Sequence, residues 1–314
     1  MGARDGAARR CGATRRVALL AALAAALLVA GCGGGSPAPS PPTATRAAGT
    51  PKPTPTATPR VPALCQPLRV AKVGTVDTPA ATELSGLVLS NSGVLWTLND
   101  SGDGPRVFAL DRRGRLLREV AVTGAEAVDW EDIAARGRTL YVGDIGDNLA
   151  QRPEVAVYRF AEPAPGATGV AAERIALRYP AGAHDAEARL GDPRPGTIAL
   201  VTKDIGGRSG VYTATRSGSL KKQGTLKLGI GQLITAGDVS GDGRTIVLRT
   251  YDRAFVWTRD GGESLARALK RAPCVADAEL LDERQGESLA LNRDGRAFYT
   301  VPEGPRPLLR RYGR

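Results

Sequence analysis

Followed as apolar and polar positions, the chain repeats one phrase five times. An acid-rich opening leads into a short apolar segment, a turn follows, and a second apolar segment closes on an acid. The openings are Glu83-Leu84-Ser85-Gly86-Leu87, Asp129-Trp130-Glu131-Asp132-Ile133, Asp185-Ala186-Glu187-Ala188-Arg189, Thr235-Ala236-Gly237-Asp238-Val239 and Gln285-Gly286-Glu287-Ser288-Leu289, about 50 residues apart. The second segments, 95–100, 140–144, 198–204, 246–252 and 298–303, end on Asp100, Asp144, Asp204, Asp252 and Glu303. Short apolar runs between turn residues predict strands, and a period of this length belongs to arrays of repeated sheets.

Third strands are expected at 107–110, 155–158, 211–214, 254–257 and 308–312, and fourth strands at 116–122, 174–179 and 225–228. The fourth unit is less regular around 265–276, where a short helix fits. The fifth has no fourth strand of its own, while residues 68–76 alternate like a strand ahead of the first unit. In a ring that segment completes the last sheet and removes an unpaired edge. The expected fold class is therefore all-β: a β-propeller of five blades with four antiparallel strands each, over residues 64–314. Asp242-Gly243 and Asp294-Gly295 lack the downstream glutamate of an EF-hand loop, and both motifs, from Asp238 and from Asn292, are assigned to hairpin turns. Trp96, Trp130 and Trp257 lie in strand contexts and are expected to pack in the core.

Ring closure would bring Cys65, just before the closing strand, near Cys274, just before the fifth unit. A disulfide between them is expected in an oxidising compartment. The leader predicts such a compartment. Five arginines precede an uncharged apolar run at 17–30, too short to span a bilayer and of signal-peptide length. The run ends Leu28-Val29-Ala30-Gly31-Cys32, which resembles the bacterial lipobox. That resemblance implies removal of residues 1–31, with Cys11 among them, and lipidation of Cys32, anchoring the protein to the outer side of the cell membrane. Arg15-Arg16 fits a twin-arginine signal and a plain basic region equally well, so the export route stays open. Residues 32–63, rich in proline and threonine, have little to bury and read as a disordered tether.

The formal charge of +11 falls to about +4 on the domain once leader and tether are set aside. Its basic residues are scattered along the sequence, without an aromatic-interleaved cluster, and no nucleic-acid partner is expected. The acids are not scattered. Antiparallel strands place the start of each first strand and the end of each second strand at one end of the channel. Glu83, Asp129 and Asp185 form one column there, Glu131, Glu187 and Glu287 a second, and Asp100, Asp144, Asp204, Asp252 and Glu303 a third. Crowded carboxylates raise one another's pKa unless a cation neutralises them. The loops Asp100-Ser101-Gly102-Asp103 and Asp144-Ile145-Gly146-Asp147 add oxygen donors of the kind calcium accepts. Asp100, Asp103, Glu131, Asp144, Asp147 and Glu187 are thus candidate metal ligands. The same acids would equally serve as structural acceptors for strand amides and basic side chains.

In its architecture and acidic openings the chain is similar to exported bacterial propellers of the phytase-like and gluconolactonase-like groups, which commonly have six blades and hold calcium at the channel mouth. The resemblance implies a calcium cofactor and hydrolysis of a phosphate ester or lactone through a calcium-polarised carbonyl and a carboxylate base. Lys203 is the one basic residue near the acids that matches a phosphate site. A serine-based hydrolase is not supported, since no Gly-x-Ser-x-Gly elbow occurs and His184 is the only histidine. His184, Glu131 and Glu187 are the candidates for proton transfer.

Three readings result. The first is a monomeric, membrane-anchored extracytoplasmic propeller that binds a ligand or an envelope protein at its acidic mouth. The second is a calcium-dependent hydrolase at the same place, and the third is a purely structural envelope protein.

Overall fold

Burial along the strands separates them by position. The first strand of each repeat is covered on both faces: Leu84–Leu89, Trp130–Arg136, Ala186–Leu190 and Ile234–Val239 are almost wholly buried. The outer strand Leu116–Thr123 alternates, and Arg69–Thr75 is largely exposed. A strand buried on both sides lies between a channel and its neighbours, whereas an alternating one meets solvent. The computed structural model describes residues 61–193, 196–276, 278, 280 and 283–314. The expected leader, Cys32 and the tether as far as residue 60 lie outside the described residues.

Five sheets form five blades of a β-propeller. Blade I runs from Leu84–Leu89 through Leu95–Asn99 and Arg106–Leu110 to Leu116–Thr123, and blade II from Trp130–Arg136 through Thr139–Asp144 and Val155–Ala161 to Glu173–Arg178. Blade III uses Ala186–Leu190, Ile198–Thr202, Gly210–Ala214 and Lys221–Thr225, and blade IV Ile234–Val239, Thr245–Thr250, Ala254–Thr258 and Cys274–Val275. Blade V contributes Ala290–Leu291, Ala297–Thr300 and Leu308–Gly313, and its outer strand is the N-terminal Arg69–Thr75, paired antiparallel from Arg69 opposite Gly313 to Thr75 opposite Leu308. The ring therefore closes as the unpartnered segment before the first unit requires.

Four details depart from the sequence pattern. Blade III's outer strand is Lys221–Thr225 rather than 225–228. Blade IV's outer strand is only Cys274–Val275, after one helical turn Leu265–Ala268 capped by Ser264. Blades I and II each gain a short fifth strand in parallel pairing, Gly169–Ala171 on blade I and Gly218–Ser219 on blade II, donated from the following blade. These strands cover edges that would otherwise be open. Finally, Asp242-Gly243 and Asp294-Gly295 do sit in inner hairpin turns, with both glycines at positive φ. Asp238 does not: it is a buried residue of the inner strand.

Five apolar clusters, one at each junction between blades, hold the ring together. Trp96 and Trp130 share one, Val157 and Tyr212 the next, then Leu190 and Trp257, Val247 and Phe298, and Phe108 and Val301. Burial of side chains of this size contributes about 1.5–3 kcal/mol each. The disulfide Cys65–Cys274 clasps the junction of blades IV and V across 209 residues of sequence. Closure of so long a loop is worth about 5 kcal/mol in the chain-entropy account. A disulfide is consistent with an extracytoplasmic location. No helix among the described residues is long and apolar enough to cross a membrane.

Candidate functional site

One backbone bond recurs where inner and second strands part at the channel mouth. The amide of Asp100 donates to Glu83 O (2.8 Å), Ile145 to Asp129 O (3.1 Å), Lys203 to Asp185 O (3.0 Å) and Glu303 to Gln285 O (3.3 Å). It extends each ladder by one step and fixes the opening residue beside the end of the second strand. A second recurring device is a β-bulge near the start of the inner strand. Trp130 pairs with Asp144 and Asp132 with Gly143, which leaves Glu131 unpaired between them. Ala186 pairs with Thr202 and Ala188 with Val201, which leaves out Glu187. Thr235 occupies the same place in blade IV, between Ile234 and Ala236. A bulge re-aims the extra residue, and here it accompanies two deeply buried glutamates, each 2 % exposed.

Seven of the acids singled out from sequence come together at this mouth, in three overlapping groups. Asp100 meets Asp129 and Glu131, Asp100 also meets Glu287 and Glu303, and Glu131 meets Asp185 and Glu187; the carboxylate oxygens within each group lie within 4.8 Å of one another. Glu131, Glu187 and Glu287 are buried, and the other four half-buried. Among the described residues, Lys203 is the one cationic side chain hydrogen-bonded to these groups, its Nζ 2.7 Å from Glu187 Oε1. Tyr251 donates its hydroxyl to Glu287 Oε1 at 2.8 Å. Glu187 Oε2 is buried and has no hydrogen-bond partner.

Burial, reinforced by this crowding, pushes the carboxyls upward. Glu187 rises to about 8, driven by burial and by Asp185 and Glu287 against the opposing effect of Lys203. Glu303 rises to about 8, through burial and then its contact with Glu287, and Asp100 to about 6, mainly through burial. Glu131 is held well above the usual carboxylate range by burial and by Glu187. Asp129 and Asp185 also move up, burial being the main cause in both. Burial alone would lower Lys203, but the charge and hydrogen bond of Glu187 raise it.

The remaining acids are engaged elsewhere. Glu83 is exposed at the rim. Asp144 is buried, accepts the Asp129 amide at 3.0 Å and pairs with Arg152 at 2.8 Å. Asp147 accepts the amides of Gln151 and Arg152 and so shapes its own loop. Asp103 binds Arg106 through both oxygens. Asp204 accepts the Arg208 amide, and Asp252 the Thr250 hydroxyl, with Arg253 3.4 Å away. Of the six candidate metal ligands, then, Asp100, Glu131 and Glu187 belong to the clusters, while Asp103, Asp144 and Asp147 are held by basic side chains and loop amides. The two Asp-x-Gly-Asp loops are unlike in use. His184 hydrogen-bonds Tyr212 at 2.9 Å and stands edge-on to Tyr179, in an aromatic group. Burial lowers its pKa.

Gly146, Tyr251 and Asp132 escaped the sequence reading. A Cβ on Gly146 would collide with Glu131 Oε1 and the Asp129 carboxyl, so a side chain there would displace one of these acids. Asp132 accepts the amides of Ile133 and Arg189 at 2.8 Å, and Asp238 those of Val239 (2.7 Å) and Leu291 (2.8 Å). Each ties its inner strand to that of the next blade, and burial raises Asp238 to about 7. Arg189 lies fully buried among these inner strands, 4.2 Å from the centre of the Tyr141 ring.

No protein-family model matches the chain, and no curated protein matches it. Among solved structures it is similar to a gluconolactonase from Xanthomonas campestris, with 12 % identity over 78 % of this chain and 89 % of that one and a TM-score of 0.47. It is also similar to a luciferin-regenerating enzyme, with 10 % identity over 79 % of this chain and 95 % of that one and a TM-score of 0.45.

Proposed function

We propose that this is an exported, lipid-anchored propeller whose acidic mouth holds a hard divalent cation, calcium by its donor set, and through that ion binds an oxygen-rich ligand or an envelope partner. The observation that carries the reading is Glu187 Oε2, a buried carboxylate oxygen without a hydrogen-bond partner at the junction of crowded carboxylate groups. Asp100, Asp129, Glu131, Asp185, Glu187, Glu287 and Glu303 supply oxygen donors alone, the set that suits calcium rather than zinc. An ion there would replace protons that burial now forces onto these groups. Anchoring through Cys32 and the tether would hold the mouth at the outer face of the membrane.

Calorimetric titration of chelator-treated protein with calcium tests the reading. Saturable binding that releases protons, and that Glu187→Gln abolishes or weakens severely, is the expected result. Heat without saturation, or binding indifferent to Glu187→Gln, would overturn it.

A second reading has one observation in its favour. Glu187, raised to about 8 beside Lys203, has the proton affinity of a general acid or base near neutral pH. On that reading the mouth hydrolyses a phosphate ester or lactone with calcium bound. Metal-dependent turnover of a small ester and lactone panel, lost in Glu131→Gln and Glu187→Gln, would favour it over binding alone.

A further inference from the structure

The inner strands run from the acidic mouth to a second opening, where their far ends enclose a cavity of about 710 Å³. All five blades contribute to its wall, through Leu89, Ala135, Gly191, Val239 and Leu291 among others. Its volume falls in the range of small-molecule sites. Four arginines line it: Arg112 from blade I, Arg136 at the end of blade II's inner strand, and Arg293 and Arg311 from blade V. The Arg112 guanidinium lies over the inner turn of blade I, 3.5 Å from where a Cβ on Gly93 would stand, and the Arg293 stem crosses blade IV's turn, 2.9 Å from the corresponding point on Gly241.

These arginines differ from those that form the domain's ion pairs. Arg106, Arg115, Arg152, Arg174, Arg249 and Arg259 each pair with a carboxylate. Arg112, Arg136, Arg293 and Arg311 have no side-chain hydrogen bond or ion pair among the described residues. The acids in the same wall accept hydrogen bonds from nearby backbone and side chains. Asp242 accepts the Ser240 hydroxyl and the Arg244 amide, Asp294 accepts the Arg296 amide, and both oxygens of Asp238 accept inner-strand amides. The cavity thus carries guanidinium groups without partners among the described residues beside acids that accept from their own turns and strands, Asp242 and Asp294 each through Oδ1. Behind its wall, Nη1 of Arg189 lies 3.7 Å from where a Cβ on Gly191 would be, and Arg189 Nε and Nη1 are buried without hydrogen-bond partners.

We propose that this cavity, at the end of the channel opposite the acidic mouth, binds a small polyanion bearing carboxylate or phosphate oxygens, held by Arg112, Arg136, Arg293 and Arg311. Planar guanidinium forks match such oxyanions bidentately, and four of them around one cavity favour a ligand with two or more anionic groups over a single inorganic ion. Enclosure by five blade ends favours a small molecule over a polymer. The site is independent of any cation at the mouth and uses none of its residues.

The test is calorimetry on metal-free protein, so that no probe acts by chelating an ion at the mouth. Citrate and inorganic phosphate are the probes and glucose is the neutral control. Citrate should bind one per molecule and more tightly than phosphate, while glucose should not bind. Arg136→Gln and Arg311→Gln should each weaken citrate roughly tenfold, the loss of one charge-assisted contact. Arg216→Gln, an exposed arginine outside the cavity, should leave binding unchanged. Thermal unfolding of each variant separates lost binding from lost fold, and Arg293→Gln, in an exposed turn, provides a third variant should one of the others unfold. Absence of saturable citrate binding up to about 10 mM, or equal weakening by Arg216→Gln, would overturn the proposal, the latter by reducing the effect to net charge.

Discussion

The two ends of the channel carry opposite charge and handle it in opposite ways. At the mouth, carboxylates sit on bulged strand starts and are buried against one another, so that burial keeps protons on them at pH values where a free carboxylate is ionised. At the other end, arginines sit in turns, at a strand end and within blade V's third strand, half or fully exposed, with water to keep them charged. The first arrangement is costly without a counter-ion and therefore selective for one. The second carries little cost and awaits an anion. Between them lie Asp132 and Asp238, whose oxygens accept inner-strand amides, and the buried Arg189. One repeated blade thus yields an end where charge is buried and an end where it is left in water.

The largest effect is expected where the two ends meet. Asp132→Ala removes the acceptor of two buried inner-strand amides, those of Ile133 and Arg189. Leaving both without partners should cost about 2 to 4 kcal/mol, read as a lower midpoint in denaturant titration. Because the ring is common to both ends, calcium and citrate binding should weaken together. Loss at one end only would mean that the ends do not share a frame.

Acidity distinguishes the ends next. In metal-free protein, Glu187 and Glu303 hold protons to about pH 8 that the unfolded chain releases near its ordinary value of 4.5. The folded state binds more protons across that window, so stability is greatest below it and falls as pH rises towards 8. A bound calcium ion takes over from the protons. The rise in melting temperature on adding calcium should therefore be larger at pH 8 than at pH 5, and an equal rise at both would count against a site made of these carboxyls.

Gly146 offers a narrower cut. In Gly146→Ala the new Cβ displaces Glu131 or Asp129, and calcium affinity should fall roughly tenfold, about 1.4 kcal/mol. Citrate binding should be unchanged, because Gly146 lies at the other end of the channel. A variant that lost both ligands would show that strain at the mouth spreads through the blades.

The two ends also differ in how much of them is legible in the sequence. The mouth is readable because its acids recur at one phase of a repeat: the openings at Asp129, Asp185 and Gln285 announce Glu131, Glu187 and Glu287 two residues on. The ring is readable for a similar reason, since residues 68–76 have strand character and no partner before the first unit. The arginine end is not readable. Residues 112, 136, 293 and 311 share no phase, and only closure of the ring brings blades I, II and V to one cavity. The bulges, too, leave no mark in the apolar pattern, although they accompany the burial of Glu131 and Glu187. Cys274 was legible as a disulfide partner but not as part of blade IV's outer strand, because a two-residue strand has no alternation to detect.

The third column of acids marks where repetition misleads, and it supplies the smallest expected effect. By phase alone, Asp252 should stand with Asp100 and Glu303, since all three close a second strand. Their neighbours decide otherwise. The Asp252 carboxylate accepts the Thr250 hydroxyl at 2.9 Å and lies 3.4 Å from Arg253. Asp144 likewise turns to Arg152. Glu303 keeps to the cluster, while Arg306, three residues on, pairs with Asp77 at 3.3 Å. Whether a repeated acid joins the mouth thus depends on its neighbours in three dimensions, a guanidinium in the case of Asp144 and Asp252. Asp252→Asn keeps an oxygen for the Thr250 hydroxyl and removes only a half-exposed ion pair. Stability should stay within about 0.5 kcal/mol, and calcium affinity should not change, whereas Glu303→Gln, at the same phase of the repeat, should weaken calcium measurably. Equal losses in the two variants would restore the full ring of acids to the mouth and undo the division drawn between them.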